Sequence, residues 1–172
     1  MTNTNLNIIG LSEKSSIETA EKLNELLANY QIFYMNLRGF HWNIQGKKFF
    51  ELHLKFEELY NNALLKVDEI AERILTLGQT PFHTFHKYLE NTKIKSAENI
   101  TDGEIAIENI LKALKVLLEE ERSILKIAAD ASDEGTVALM SEYIVEQEKL
   151  AWMFSAYKGP SEKNGSFLFL NH

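Results

Sequence analysis

At 172 residues, with 45% apolar and 25% charged side chains, the chain has the size and make-up of one globular domain with a full core. It has no cysteine, which excludes disulfides, thiolate metal sites and thiol chemistry, and its net charge of −7 argues against a nucleic-acid surface and for cations as partners. No basic-then-apolar leader opens the sequence and no apolar run approaches the roughly 18 residues of a membrane span, so a cytoplasmic location without membrane contact is expected.

Two prolines and eight glycines are the strong punctuation, and they fall between long stretches of helical period. Ser15 and Glu18 have capping-box spacing ahead of Ile17, Ala20, Leu23, Leu27, Tyr30, Tyr34 and Leu37, a stripe that predicts a first helix to about His41. Asn43 to Gly46 reads as a turn. A second helix is expected from near Lys47 to Leu77, closed by Gly78 as a left-handed cap with Pro81 beyond. Residues 82–100 are irregular, apart from a short helical stretch around Phe85 to Leu89. Thr101 and Glu104 form another capping box and open a third long helix bearing Ile105, Ile110, Leu111, Leu114, Leu117 and Leu118. Asp130 to Gly135 is the next turn, and a fourth long helix runs to about Tyr157, before Gly159 and Pro160. No segment reads as a strand.

Helices of about 25 residues span close to 40 Å each. The expected fold is all-α, a ferritin-like four-helix bundle with a long crossover between helices 2 and 3. Residues 1–172 form a single domain on this reading, with 1–14 and 160–172 as tails.

The side chains that can carry chemistry lie on or beside the second long helix. Asp68 and Glu72 are one turn apart and share a face. His53 precedes Asp68 by about 22 Å along a straight helix, and His41 lies further upstream, so one chain cannot bring all four to one ion. Two copies of the helix crossing antiparallel about a two-fold axis place His53 of each near Asp68 and Glu72 of the other, which predicts a metal site shared between subunits. Glu57, one turn after His53, extends it. Imidazoles and carboxylates without sulfur suit iron, manganese or zinc. A di-iron bundle with its site inside one chain repeats Glu-x-x-His, and no Glu here is followed three positions later by His. The bland alternative is a solvated acidic face with two unrelated histidines.

The stretch from Phe40 to Pro81 carries His41-Trp42-Asn43 with Gly46, then Leu52-His53, then Asp68 followed by Ala71-Glu72-Arg73-Ile74. It resembles the Dps family, the mini-ferritins also called DNA-binding proteins from starved cells. The likeness is dense here and looser from about Ile17 to Tyr157. It implies an intersubunit ferroxidase centre on His41 and His53 of one chain and Asp68 and Glu72 of its mate, with Glu57 where many members have Asp. It further implies a homo-dodecamer that oxidises iron with hydrogen peroxide and stores the ferric product, protecting against oxidative stress. Trp42 matches a family tryptophan near the iron, an electron donor or an interface aromatic. Trp152 has only a core reading. His83 and His86 are a weaker surface pair. Asp130, Asp133 and Glu134 lie where family members line three-fold pores with acids, or else they cap a helix.

The alternative function is non-specific DNA binding and nucleoid compaction. Residues 1–16 hold only Lys14, beside Glu13, and the C-terminal tail has one Lys and one Glu before its PheLeuPheLeu run (167–170). Phosphate neutralisation needs several cations, so DNA binding is expected to be weak.

Overall fold

The computed structural model describes residues 5–159; the C-terminal tail with its apolar run 167–170 lies outside the described residues. Four long helices, α1 (Glu13–Asn43), α2 (Phe49–Thr76), α4 (Gly103–Asp130) and α5 (Glu134–Lys158), are joined by two short turns and one long crossover bearing α3 (Phe85–Asn91). This is the expected all-α ferritin-like bundle. Helix α1 packs on α2, α4 and α3, and α4 packs on α5. Most of the stripes read from the sequence meet in one core, with Leu23, Leu27 and Leu37 of α1 against Phe56, Ile70 and Ile74 of α2, and Ile110, Leu114 and Leu117 of α4, whereas Ile17 and Ile105, near the starts of their helices, stay exposed. Each such side chain stabilises the fold by roughly 1.5–3 kcal/mol through burial.

Three helix starts differ from expectation. Helix α1 begins at Glu13 after Ser12 rather than at the Ser15–Glu18 box. Upstream, Asn7 folds back, accepting from the Ile9 and Leu11 amides and donating to the buried Ser16 hydroxyl at 2.9 Å, so the first turn is supported from outside. Helix α4 is capped by Asp102 rather than Thr101. Its carboxylate accepts from the Glu104 and Ile105 amides at 2.9 and 3.0 Å, and a full negative charge suits the positive helix end better than a hydroxyl. Helix α2 starts at Phe49, because Gly46 at φ +102° turns the chain first. Gly78 behaves as read: at φ +82° it ends α2, and the Gln79 amide reaches back to the Ile74 carbonyl at 3.1 Å.

The crossover is held by three asparagines of α1 that the apolar stripe did not announce. Asn24 brackets the Thr80 carbonyl and the Phe82 amide. Asn29, fully buried, accepts from the Lys93 amide at 2.7 Å and from Ile94 and the Thr92 hydroxyl, while its amide donates to Glu120 at 2.6 Å. Asn36 pairs with the Lys95 carbonyl and the Ala97 amide, both at 2.9 Å. A segment with no ladder of its own thus has its buried backbone groups paired by side chains.

Asp133 is a structural residue. It is buried, caps α5 through the Thr136 amide at 2.9 Å, and pairs with Arg73 of α2 at 2.5 Å. Asp130 and Glu134 beside it are exposed. The core reading of Trp152 is overturned: it is 67% exposed, since Phe154 and Gln147 point inward and Trp152 stands roughly 200° around the helix from Phe154.

Candidate metal centre

The 44–48 turn brings the last turn of α1 onto the first turns of α2, and there His41 and His53 stack with ring centroids 3.7 Å apart. Each ring is fixed by the other residue's backbone. His41 Nδ1 lies 2.8 Å from the His53 carbonyl, and His53 Nδ1 lies 2.8 Å from the His41 carbonyl. A carbonyl only accepts, so both Nδ1 atoms carry the hydrogen and both Nε2 atoms keep a free lone pair in the neutral rings. Oriented rings with Nε2 available are the arrangement metal-binding histidines use. Phe49 stacks on His53 at 4.9 Å and Tyr60 meets His41 edge-on at 5.3 Å, so aromatic packing fixes the pair from both sides. Beside it, Arg38 lies over Trp42 at 4.6 Å and donates to the Tyr34 hydroxyl at 3.0 Å. Trp42 itself is 58% exposed.

Asp68 and Glu72 are one turn apart on α2 as read, but both are exposed, so they are not buried carboxylates of the single chain. The inward face of α2 is the stripe Leu52, Phe56, Leu59, Ala63, Ile70 and Ile74. The two acids occupy the outward face among Leu64, Leu65 and Leu75, each about half exposed or more. Glu57 is half-buried between the histidines and these acids. Among the described residues no three of His, Asp and Glu converge within one chain. The fold therefore gathers the histidines where α1 meets α2 and leaves the carboxylates further along α2. His83 and His86 do not converge: His83 Nδ1 turns to the Pro81 carbonyl, and His86 faces Glu90 at 2.9 Å.

One polar cluster escaped sequence reading. At the middle of the bundle the buried Glu121 accepts from the Tyr30 hydroxyl at 2.8 Å and from the Gln147 amide. Burial pushes its carboxyl up to about 7, against the opposing hydrogen bonds of Gln147 and Tyr30. Nearby, the buried Lys66 ammonium meets Glu146 at 2.5 Å and Asn62 at 3.0 Å, and Tyr143 donates to Glu69 at 2.6 Å. The signal was present: Glu121 falls on the period of Leu114, Leu117, Ile124 and Ala128, hidden inside the charged run 119–122.

Residues 20–159 match the ferritin-like domain family. An uncharacterized protein of Haemophilus influenzae is 53% identical over 148 residues, covering 86% of this chain and 92% of that one. A DNA protection during starvation protein of Porphyromonas gingivalis is 41% identical over 152 residues, covering 88% and 96%. The crystal structure of a Dps protein from Vibrio cholerae, described as a member of a broad superfamily of ferritin-like diiron-carboxylate proteins, superposes with a TM-score of 0.88 at 52% identity, covering 91% of this chain and 99% of that one.

Proposed function

The chain belongs to the Dps family of ferritin-like proteins, and on that footing we propose that it is a ferroxidase and iron store whose di-iron centres form between subunits. The observation that carries this reading is the stacked histidine pair with both Nε2 atoms free, on a chain whose Asp68 and Glu72 lie exposed among leucines further along α2. Ferrous iron is the substrate. His41 and His53 of one subunit and Asp68 and Glu72 of its mate bind it, and Glu57 supplies a further oxygen for the second ion. Imidazole nitrogen suits the ferrous state and carboxylate oxygen the ferric state, so the mixed set tolerates both. Two ferrous ions each give one electron to hydrogen peroxide, whose O–O bond breaks, and two protons complete two waters. Ferric ion then collects in the cavity of a homo-dodecamer. Removing ferrous iron and peroxide together removes both reactants of hydroxyl-radical formation, hence protection from oxidative stress. The compartment proposed is the cytoplasm; no helix among the described residues is long and apolar enough to cross a membrane.

An anaerobic ferrous titration followed by peroxide tests the reading. Binding is expected to saturate at a fixed ratio of iron to chain, and peroxide then to oxidise the bound iron in one rapid phase. Oxidation no faster than that of iron in buffer overturns it.

Assembly is a separate expected result. Exposed acids interleaved with Leu64, Leu65 and Leu75 fit a surface covered by another copy. Light scattering at micromolar protein should give roughly twelve times the 19.8 kDa chain, a closed point group. A monodisperse monomer contradicts both the cage and the shared centre.

DNA compaction is the second reading, because relatives are named for DNA protection. The sequence opposes it: net charge is −7 and each tail offers one lysine matched by one glutamate. At about 150 mM salt, without added metal, duplex DNA should run free in a gel-shift assay. Salt-sensitive, sub-micromolar retention of unrelated sequences would restore this reading.

A further inference from the structure

Where the crossover meets α4, a cleft of about 390 Å³ opens whose charged lining is entirely basic: Lys93 and Lys95 from the crossover and Lys112 from α4. No carboxylate lines it, in a chain with 25 acidic and 18 basic residues. The rest of its lining is mixed, with Asn36 and Asn109 beside Ile94, Ala113 and Val116. The crossover lysines stand on a backbone that is already fixed, since Asn29 holds the Lys93 and Ile94 amides and Asn36 holds the Lys95 carbonyl.

The charges do not cancel. Lys93 is matched by Glu120 at 2.9 Å. Glu108, one turn before Lys112, is taken by Lys158 at 2.7 Å. Among the described residues, Lys95 and Lys112 have no ion-pair partner. Lys95 and Lys112 thus bring two unmatched positive charges to the lining of one cleft, each ammonium with three donors and no acceptor.

We propose that this cleft binds the phosphate group of a small anion, with Lys95 and Lys112 as its two counter-charges. A phosphate dianion balances both ammonium groups, and its tetrahedral oxygens accept from both at once. A phosphodiester brings one charge per group, and a cleft with two free cations is too small a footprint to retain duplex DNA at physiological salt. The free dianion is therefore the favoured source of the phosphate.

The test uses the full-length protein at low ionic strength in a buffer without phosphate. Inorganic phosphate is titrated by calorimetry into the wild type, Lys95→Gln/Lys112→Gln, and a charge-matched control, Lys126→Gln/Lys149→Gln. The four lysines are exposed, so all three proteins should keep the same helicity and assembly mass. Wild type and control should take up one phosphate per chain saturably, and the cleft variant should bind about tenfold more weakly or not at all. In a second arm, a short duplex DNA replaces phosphate. Retention of duplex that the cleft variant alone loses, with no uptake of free phosphate, overturns the small-anion proposal and assigns the two lysines to the nucleic-acid backbone. Equal titrations for all three proteins, or no saturable binding in either arm, overturn the proposal.

Discussion

Thermal stability is expected to fall as the pH rises from about 6 to about 8.5, and Glu121→Gln is expected to remove most of the part due to this one group. Glu121 is fully buried, and its carboxyl is pushed by burial from the ordinary 4.5 to about 7. Hydrogen bonds from Gln147 of α5 and Tyr30 of α1 oppose that shift, as do the charges of Lys66 on α2 and Arg122 on α4, without overcoming it. An acid raised on folding holds its proton more tightly in the folded state. Its contribution is therefore complete below about 4.5 and is lost as the pH passes through about 7. At ~1.4 kcal/mol for each tenfold change in proton affinity, the whole effect is about 3 kcal/mol. Roughly half of it falls between pH 6 and 8.5, a drop of about 3–6 °C for a chain of this size. Two buried oxygens of this cluster, Glu121 Oε2 and Gln147 Oε1, have no donor, and a proton on the carboxyl supplies one. Gln at position 121 mimics that neutral acid and carries an amide donor at all pH values. Melting wild type and variant at both pH values isolates the group, because every other titration is common to the two. A variant that loses as many degrees as its parent shows that Glu121 is not the group that titrates.

The same residue marks where sequence reading stops. Stripes such as Leu23–Leu27–Tyr30 and Ile110–Leu114–Leu117 could be read because burial of one helix face imposes a period on the sequence, and four such stripes with one long gap leave few topologies. Glu121 sits on its stripe but reads as part of the solvated run 119–122, since sequence period does not say that Tyr30 and Gln147 arrive from other helices. The asparagines 24, 29 and 36 were hidden for the same reason, as their partners are backbone groups of a crossover about 56–65 positions away. Helix starts were misplaced by one to three residues because a capping pattern does not fix where a helix begins: of the three, only α4 has a side-chain cap, from Asp102, while α1 and α2 start without one and α1 is supported by Asn7 on Ser16. Spacing separated His53 from Asp68 correctly, because helix rise is fixed. It did not reveal that His41 and His53 each present Nδ1 to the other's carbonyl, which depends on the 44–48 turn.

The proposed intersubunit centre makes the sharpest expected result. One variant carries His41→Ala and His53→Ala, another Asp68→Ala and Glu72→Ala. Each alone should lose most rapid peroxide-driven iron oxidation, since every interface site lacks two of its ligands. The carboxylate pair is exposed, so its removal should leave the fold intact. The histidine pair is stacked and partly buried, so His53→Gln alone serves as a milder partner if the double variant does not assemble. The two proteins are then unfolded, mixed equally and reassembled. A mixed dimer has one site with all four ligands replaced and one with all four intact. With random pairing half the dimers are mixed, so about one quarter of all sites should recover under two-fold symmetry. Sites built within single chains would recover none, because every chain in the mixture is defective. A mixture that reaches the wild-type assembly mass yet oxidises iron no faster than either parent rules out a centre shared between subunits.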